Sequence, residues 1–215
     1  MATYNSFDDI PREQHKVILA DPNWQFKTYS KKGEGKSASR HYNCDPTELI
    51  MEHPVKELIH PEGSVLFLWC TWPKIFHAER VINAWGFNYS GLAWEWIKKN
   101  PATEKYAFGG GYITRKNLEP CLVATSKKFK TGKERKNRST RDFLYAPRRE
   151  HSQKPIEQYE RIENLFGGPY LELFARYSRP GWDSMGDEID QYTKEDFKQA
   201  QASTWTGALS AALTG

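Results

Sequence analysis

The sequence has few cysteines and no long apolar run. Its three cysteines, Cys44, Cys70 and Cys121, are far apart in the 215-residue chain and show no paired spacing. This spacing argues against a cysteine-based zinc site and against a disulfide framework, and it suits a reducing cytoplasm. No apolar segment is long enough to span a bilayer. We therefore predict a cytoplasmic protein that has no membrane partner and no metal.

The first ten residues also lack an apolar leader, so we expect no signal peptide. With 38% hydrophobic residues, the chain is long enough for one domain with a sizeable core, which we place at residues 1–190. Residues 203–215 have no charged side chain and are rich in Ala, Thr and Gly. We therefore expect residues 191–215 to form a loosely held C-terminal tail.

Positive charge is concentrated in one segment. The net charge is +4, but residues 127–149 contain ten Lys or Arg and two acidic residues, which makes this segment +8 and the remainder −4. Residues 127–141 show no apolar periodicity and are predicted to form an exposed, mobile loop. Such a loop can be solvated and contact nothing. If the chain also binds a nucleic-acid base, segment 127–149 becomes a candidate for phosphate contact.

Short apolar runs alternate with segments of helical spacing along most of the chain. Continuous apolar runs predict strands at residues 17–20, 65–69, 92–97, 120–124 and 170–174. Capping residues or prolines followed by helically spaced apolar residues predict helices that begin near Asp45, Pro73 and Pro155. This alternation predicts a three-layer α/β domain around a largely parallel sheet.

The tetrapeptide Asp21-Pro22-Asn23-Trp24 directly follows the first of these predicted strands. In open α/β sheets, ligands bind beyond the carboxyl ends of the strands. A carboxylate, a free proline carbonyl and an aromatic face could together hold a flat base that carries an exocyclic amine. The alternative is an ordinary Asx-Pro turn followed by a tryptophan with no binding role.

Eight segments, taken in order, resemble the DPPW-type N6-adenine methyltransferases. This family includes the catalytic subunit of the eukaryotic messenger-RNA adenosine methyltransferase and small bacterial and phage relatives. The ordered set is much more specific than the tetrapeptide alone. The segments are ADPNW (20–24), HYNCDPTELI (41–50), VLFLWCTWP (65–73), AWGFNYS (84–90), WEWIKKN (94–100), GGGYITRKNLEPCLVA (109–124), HSQKPIEQYERIE (151–163) and LELFARYSRPGWDSMGDEI (171–189).

The resemblance implies a Rossmann-like methyltransferase sheet that is circularly permuted. In the family the catalytic tetrapeptide precedes the cofactor-binding strand, and here Asp21 precedes Glu172 by about 150 residues. The absence of a Gly-rich fingerprint near the amino terminus agrees with this order. The implied cofactor is S-adenosyl-L-methionine, and the implied reaction is methyl transfer to the N6 amine of adenine in nucleic acid.

The same resemblance assigns catalytic roles to Asp21, Pro22, Asn23 and Trp24. The Asp21 carboxylate is expected between the cofactor's ammonium and the target amine, where it and the Pro22 carbonyl accept the two N–H bonds. Trp24 is expected to stack on the adenine or to wall the pocket. Asn23 departs from the family's second proline, so the turn should be less rigid and the activity weaker.

Cofactor binding is assigned by resemblance to a larger set. Lys154 precedes a helix and is expected to meet the cofactor's carboxylate. Glu172 lies in a strand, where a buried carboxylate needs a cofactor or lysine partner. Arg176 matches a position that contacts the ribose. The set also includes Asp21, Phe174 and Ser178, together with Asp187 and Glu188, which stand where the family has amide side chains.

Substrate binding is assigned to Trp24, Tyr42, Lys98, Asn117 and Glu119. Tyr42 matches an aromatic residue in a loop that is expected to close over the site. Lys98, Asn117 and Glu119 match the region that lines the acceptor adenosine pocket. Each of the last three could equally be a polar residue at a strand end.

Several functions remain open at this point. The chain has no insertion large enough for a separate target-recognition domain, so we expect a DNA adenine methyltransferase with a short or relaxed target. An RNA enzyme is one alternative. Another is a non-catalytic nucleic-acid-binding subunit, although such subunits usually lack the residues that Asp21 and Lys154 represent. A cytosine N4 enzyme would be expected to have serine at position 21. A homodimer and a heterodimer are both possible.

Overall fold

The structure is a computed structural model that describes residues 1–25, 45–103, 105–111, 113–149, 153–186 and 189. The predicted tail at 191–215 lies outside these ranges. Within them, no helix combines the length and the apolar character that crossing a bilayer requires.

An eight-stranded mixed sheet forms the centre of the fold. In sheet order the strands are β1, β8, β7, β2, β3, β5, β4 and β6. Their bounds are β1 Thr3–Tyr4, β2 Val17–Ala20, β3 Val65–Trp69, β4 Phe87–Lys99, β5 Leu118–Ser126, β6 Phe143–Pro147, β7 Tyr170–Leu173 and β8 Trp182–Met185. Strand β5 runs antiparallel to β3 and β4, whereas the other neighbours in the described sheet are parallel. The sheet is therefore largely parallel, as the sequence predicted.

Helices cover both faces of this sheet. The helices are α1 Thr47–Glu52, α2 Ile75–Ala84, α3 Thr131–Glu134 and α4 Glu157–Leu165, with 3-10 segments at Phe7–Asp9, Val55–Leu58 and Trp72–Lys74. Helices α1 and α2 share a core with Ile18 and Ala20 of β2. Helix α4 packs on the opposite face, in a core that contains Val17 and Leu19. The alternation along β2 thus divides its side chains between two cores, and the three-layer α/β prediction is confirmed.

The five predicted strands and three predicted helices are present, but the sequence missed β1, β6 and β8. Helix α1 begins at Thr47, with Pro46 at its cap. The helix has no side-chain cap, so the predicted cap at Asp45 is not formed. The backbone N–H of Asp45 donates instead to the Asn23 carbonyl at 2.8 Å, which pairs Asp45 with the Asp21-Pro22-Asn23-Trp24 turn.

The two ends of the sheet differ in what they present. The carboxyl ends of the parallel strands β2, β3, β4, β6, β7 and β8 meet at one end, together with the first residues of the antiparallel β5. We call this the site end of the sheet. Asp21 follows β2 there, Phe174 follows β7, and Glu119 lies at the start of β5. The other end is called the opposite end.

The structure divides the basic segment 127–149 between these two ends. Residues 127–141 follow β5 and therefore lie at the opposite end, where Phe129 is buried against Phe166 with ring centroids 5.5 Å apart. The Lys136 N–H donates to the carbonyl of Leu165 at 2.8 Å. The Lys and Arg side chains of this stretch are exposed as predicted, but the short helix α3 forms within it, which the predicted loop did not include. Strand β6 then returns the chain to Arg148 at the site end.

Candidate active site

The Asp21-Pro22-Asn23-Trp24 turn is held by backbone hydrogen bonds. The Trp24 N–H donates to the Pro22 carbonyl at 2.9 Å, and the Asn23 carbonyl accepts the Asp45 N–H at 2.8 Å. The Gln25 N–H donates in turn to the Asp45 carbonyl at 3.2 Å. These bonds support the turn on both sides of Asn23. The proline that the family has at this position is therefore not needed to fix the chain direction.

Trp24 is part of the core. Its side chain is only 5% exposed and packs in the cluster that contains Ile50 of α1. The indole N–H donates to the carbonyl of Trp69 at 2.9 Å. Stacking on an adenine requires an accessible ring face, which this conformation does not offer. The residues that line the free space beside Asp21 do not include Trp24, so both predicted roles of Trp24 stay predictions.

Lys154 links two carboxylates that are distant in sequence. Its ammonium donates to Asp21 Oδ2 at 2.7 Å and lies 3.1 Å from Glu119 Oε1. The other oxygen of Glu119 accepts a hydrogen bond from the ammonium of Lys98. These four side chains, Asp21, Lys154, Glu119 and Lys98, form a row of alternating charge that we call the charge row. Two cations balance two carboxylates, so the row is neutral as a whole.

The charge row shifts the pKa of its members in different directions. Burial would lower the pKa of Lys154, but Asp21 and Glu119 outweigh it and raise that pKa to about 12. Burial would raise the pKa of Glu119, but Lys154 and Lys98 together lower it. For Asp21, burial dominates and raises the pKa against the opposing pull of Lys154 and Arg176. The Asp21 carboxylate is therefore a stronger proton acceptor than an ordinary aspartate.

A narrow cleft borders Asp21 and contains most of the predicted cofactor-binding residues. Asp21, Lys154, Glu172, Phe174 and Arg176 all line it. In the conformation described, its free volume is about 30 Å³, room for about one water molecule. Lys154 and Asp21 are in contact with each other, and both line this cleft. A ligand larger than about one water molecule therefore requires that the lining residues move apart.

Glu172 has a tyrosine partner. The Tyr159 hydroxyl lies 3.0 Å and 3.1 Å from the two carboxylate oxygens, and Glu172 is 9% exposed. Burial raises the pKa of Glu172 to about 8, although the hydrogen bond from Tyr159 lowers it and Asp21 raises it further. In the structure this partner is Tyr159 and not a lysine, and the predicted cofactor partner stays a prediction. A side chain of α4 could be identified as this partner only once α4 was placed against β7.

The chain leaves strand β7 in a strained backbone conformation beside the cleft. Phe174 has φ +62°, a left-handed conformation that is costly for a residue with a side chain. The next residue, Ala175, donates its N–H to the Met185 carbonyl at 2.8 Å. An added Cβ at Gly186 would lie 2.2 Å from the Ala175 carbonyl oxygen, so only glycine fits there. The end of β8 therefore fixes the strained Phe174 beside the cleft.

The remaining predicted residues fall into four groups. Lys98 and Glu119 belong to the charge row, beside the cleft. The Asn117 amide donates to the Lys98 carbonyl at 3.4 Å and to the Ala107 carbonyl at 3.1 Å, so it ties a loop to β4. Ser178 does not line the cleft. Tyr42, Asp187 and Glu188 lie outside the residues that the structure describes.

Six cleft residues were not predicted, namely Leu19, Trp69, Gln153, Gln158, Tyr159 and Tyr177. Trp69 belongs to a continuous apolar strand, and Tyr159 shares the apolar face of α4, so both have the pattern of core residues. The Trp69 indole donates to Gln158 Oε1 at 2.6 Å. That glutamine is buried, and a polar residue on the apolar side of a helix is the signal that could have revealed it.

Comparison with known proteins agrees with this geometry. A family model described as MT-A70 matches residues 15–188, which include Asp21 and Lys154. The chain belongs to the MT-A70 family. It is 31% identical over 201 residues to the type II methyltransferase M.MunI from Mycoplasma sp., a match that covers 85% of this chain and 81% of that protein.

Longer MT-A70 relatives match over a smaller share of their length. The human N(6)-adenine-specific methyltransferase METTL4 is 26% identical, over 86% of this chain and 40% of its own. An N(6)-adenosine-methyltransferase MT-A70-like protein from Arabidopsis thaliana is 28% identical, over 81% of this chain and 24% of its own. The chain therefore spans less than half of these two relatives. Its α/β sheet is consistent with a Rossmann-like methyltransferase fold, and the circular permutation stays a prediction.

The residues of the cleft fit S-adenosyl-L-methionine in chemical character. Lys154 offers a cation for the cofactor's carboxylate, and Asp21 offers an anion for its ammonium. Arg176 and Glu172 offer hydrogen-bonding groups for ribose hydroxyls. The ring of Phe174 offers apolar surface. This donor set supports the cofactor that the resemblance implies.

Proposed function

We propose that this MT-A70 protein transfers a methyl group from S-adenosyl-L-methionine to the N6 amine of adenine in nucleic acid, with DNA as the preferred substrate. The observation that carries the proposal is the position of Asp21. It follows β2 directly, its pKa is raised by burial, and Lys154 bridges it to Glu119. Membership of the MT-A70 family supports the same reaction.

Lys154 has two roles in this proposal. In the structure it neutralises Asp21 and Glu119, which keeps two largely buried carboxylates tolerable in the absence of ligand. Lys154 would hold the cofactor's carboxylate, and Asp21 would face its ammonium. The cofactor supplies an electrophilic methyl group on a sulfonium. The chain supplies the position and the charge that bring the acceptor amine to it.

Asp21 and Pro22 then act on the adenine amine. The N6 lone pair is delocalised into the purine ring, which makes the amine a poor nucleophile. The Asp21 carboxylate and the Pro22 carbonyl accept its two N–H bonds, favouring a pyramidal and more nucleophilic nitrogen. The Pro22 oxygen already accepts one hydrogen bond, from Trp24, and its second lone pair remains for the amine. Asp21 is also the nearest base for the proton that nitrogen loses.

The substrate must present an unstacked adenine. A base within a duplex has to be flipped out to reach Asp21, so single strands should be the easier substrates. Two facts favour DNA over RNA. The chain covers most of the type II methyltransferase it matches, and it covers only a quarter of the N(6)-adenosine-methyltransferase-like relative. We also propose that the target sequence is short or relaxed, and that the protein works in the cytoplasm.

One experiment tests substrate and product together. Purified protein is incubated with tritiated S-adenosyl-L-methionine and matched DNA or RNA oligonucleotides, single-stranded and duplex, followed by nucleoside analysis. The expected product is N6-methyladenine, formed fastest in single-stranded DNA. Label in cytosine, or no label in any nucleic acid while the protein binds cofactor in calorimetry, would reject the proposed reaction. Faster labelling of RNA would reject the DNA preference alone.

A further inference from the structure

A second cleft lies at the site end of the sheet, and of the residues with a predicted role it involves only the basic segment 127–149, through Arg148. Its free volume is about 590 Å³, and it is lined by Phe108, Gly109, Gly110, Arg115 and Arg148. The first four belong to the loop at residues 100–117, which joins β4 to β5. Arg148 follows the last residue of β6. We call it the loop cleft.

Backbone hydrogen bonds give the loop cleft a defined shape. The Arg148 N–H donates to the Lys99 carbonyl at 3.0 Å, and the Lys116 N–H donates to the Gly110 carbonyl at 3.0 Å. An added Cβ at Gly109 would lie 1.9 Å from the Lys116 carbonyl oxygen, so the loop closes on itself only with glycine there. The cleft is thus built between a closed loop and a strand end.

The chemistry of the lining suits a nucleotide. Phe108 is 82% exposed, a large apolar ring presented to solvent. Across the ranges that the structure describes, neither Arg115 nor Arg148 has a carboxylate partner. Two such guanidinium groups favour a phosphate, which arginine binds with two parallel hydrogen bonds. The exposed ring favours a base that stacks on it.

The position of the loop cleft relates it to Asp21. The charge row leads from Asp21 through Lys154 and Glu119 to Lys98. Lys99 is the next residue, and its carbonyl holds the backbone of Arg148. The loop cleft and Asp21 therefore lie at the same end of the sheet and are connected through these residues, which makes the loop cleft a candidate site for a strand whose adenine reaches Asp21. The neighbouring Arg149 is not available in the same way, since Glu157 accepts two hydrogen bonds from it at 3.2 Å and 3.0 Å.

We propose that the loop cleft holds the nucleotide next to the target adenine, with its phosphate on Arg115 and Arg148 and its base on Phe108. This inference rests on the proposed function, because it names a further part of the same substrate. The inference places the nucleic-acid contact at the loop of residues 100–117 and at Arg148. Residues 127–141 lie at the opposite end of the sheet and are not part of this contact. The basic segment contributes to the substrate site through its last residues.

Binding measurements test the loop cleft apart from catalysis. Dissociation constants are measured by fluorescence anisotropy for a short single-stranded DNA with one adenine, using wild type, Phe108→Ala, Arg115→Ala, Arg148→Ala and, as a matched control, Arg138→Ala at the opposite end. We expect Phe108→Ala to weaken binding roughly tenfold. Each cleft arginine variant should lower the slope of log affinity against log salt by about one. Arg138→Ala should match wild type.

An abasic nucleotide beside the adenine sharpens the test. Removing the neighbouring base should weaken wild-type binding about as much as Phe108→Ala does, and the two changes together should cost no more than either alone. An RNA version of the oligonucleotide shows whether the loop cleft accepts both sugars. Each cleft variant is also checked for unchanged thermal unfolding, which is expected because Phe108 and Arg115 are exposed.

The outcomes separate the two proposals. If wild type methylates DNA and the three cleft variants bind and react like Arg138→Ala, the loop cleft inference is wrong and the proposed function stands. If the cleft variants weaken binding but wild type transfers no methyl group, the cleft binds nucleic acid and the proposed function is wrong. Additive losses from Phe108→Ala and the abasic site would also contradict the stacking role.

Discussion

The two ends of the sheet carry positive charge in different forms. At the opposite end, residues 127–141 contain eight Lys or Arg and one acidic residue, and these basic residues are exposed. At the site end, Lys154 and Lys98 are largely buried and paired with Asp21 and Glu119. The denser charge in the sequence therefore does not mark the candidate active site. The positions where parallel strands end mark it more reliably.

This contrast follows from solvation. An exposed lysine keeps its water shell and needs no partner, so any number can gather on a loop at little cost. A buried lysine must be paired, and each pairing fixes the geometry of both groups. The charge row is thus a constrained structure, and a change within it should have large effects. Changes in the charge row should therefore have larger effects than changes among the exposed basic residues at 127–141.

Replacing Asp21 with asparagine should reduce methyl transfer at least about a hundredfold, because an amide accepts a proton and an N–H bond less well than a carboxylate. The measurement is kcat/KM with the best DNA substrate, with cofactor affinity measured in parallel. Asp142→Asn, at the start of β6 and the opposite end, is the matched control and should leave kcat/KM unchanged. Equal kcat/KM values for the two variants would show that Asp21 has no catalytic role.

Replacing Lys154 with methionine should destabilise the protein by about 3–5 kcal/mol, because Asp21 and Glu119 lose the cation that they share. The measurement is urea unfolding near pH 7. Lys127→Met at the opposite end should change the free energy of unfolding by less than about 0.5 kcal/mol. Cofactor affinity, measured by calorimetry on the folded fraction, should also fall for Lys154→Met alone. Equal unfolding curves for both variants would show that the charge row contributes no more than exposed charge.

Glu172 should make stability fall as pH rises. Its pKa is about 8 in the folded chain against 4.5 as the ordinary value, so the folded state holds a proton that the unfolded chain releases. Its stabilising effect is complete below pH 4.5 and is lost as pH rises through about 8, at about 1.4 kcal/mol per pH unit for one proton. Subtracting the unfolding profile of Glu172→Gln from that of wild type isolates this slope. A flat difference would mean that Glu172 is ionised when folded.

The sequence predicted those parts of the fold that one segment determines. Strands β2 and β3 are continuous apolar runs because helices cover both of their faces, and such runs are recognisable without the partner. Strand β6 was missed because its residues alternate between buried and exposed, with Phe143 and Tyr145 partly exposed, inside a strongly basic stretch. Its pairing with β4 determines it, and no local pattern shows that pairing.

The candidate site shows the same division. Motif resemblance predicted Asp21, Lys154, Glu172, Phe174 and Arg176, and the structure gathers them in one cleft. The motif resemblance could not predict that Lys154 contacts Asp21 directly, since 133 residues separate them in the sequence. Nor could it separate Arg148 from residues 127–141, because charge alone does not say at which end of a strand a residue lies.

The smallest effect on DNA binding is expected for the basic residues at 127–141, although they form the densest cluster of positive charge in the sequence. Changing Lys130, Arg135 and Arg138 to glutamine should alter DNA affinity by less than about threefold at physiological salt and leave kcat unchanged. Strand β6 has five residues, so at about 3.3 Å each it separates the two ends of the sheet by roughly 16 Å, about twice the Debye length. The double variant Arg115→Ala/Arg148→Ala removes two positive charges instead of three. It should nevertheless weaken DNA binding more than the triple variant does. If the triple variant loses more affinity than this pair, then DNA wraps onto the opposite end, and charge density rather than strand ends locates the nucleic acid.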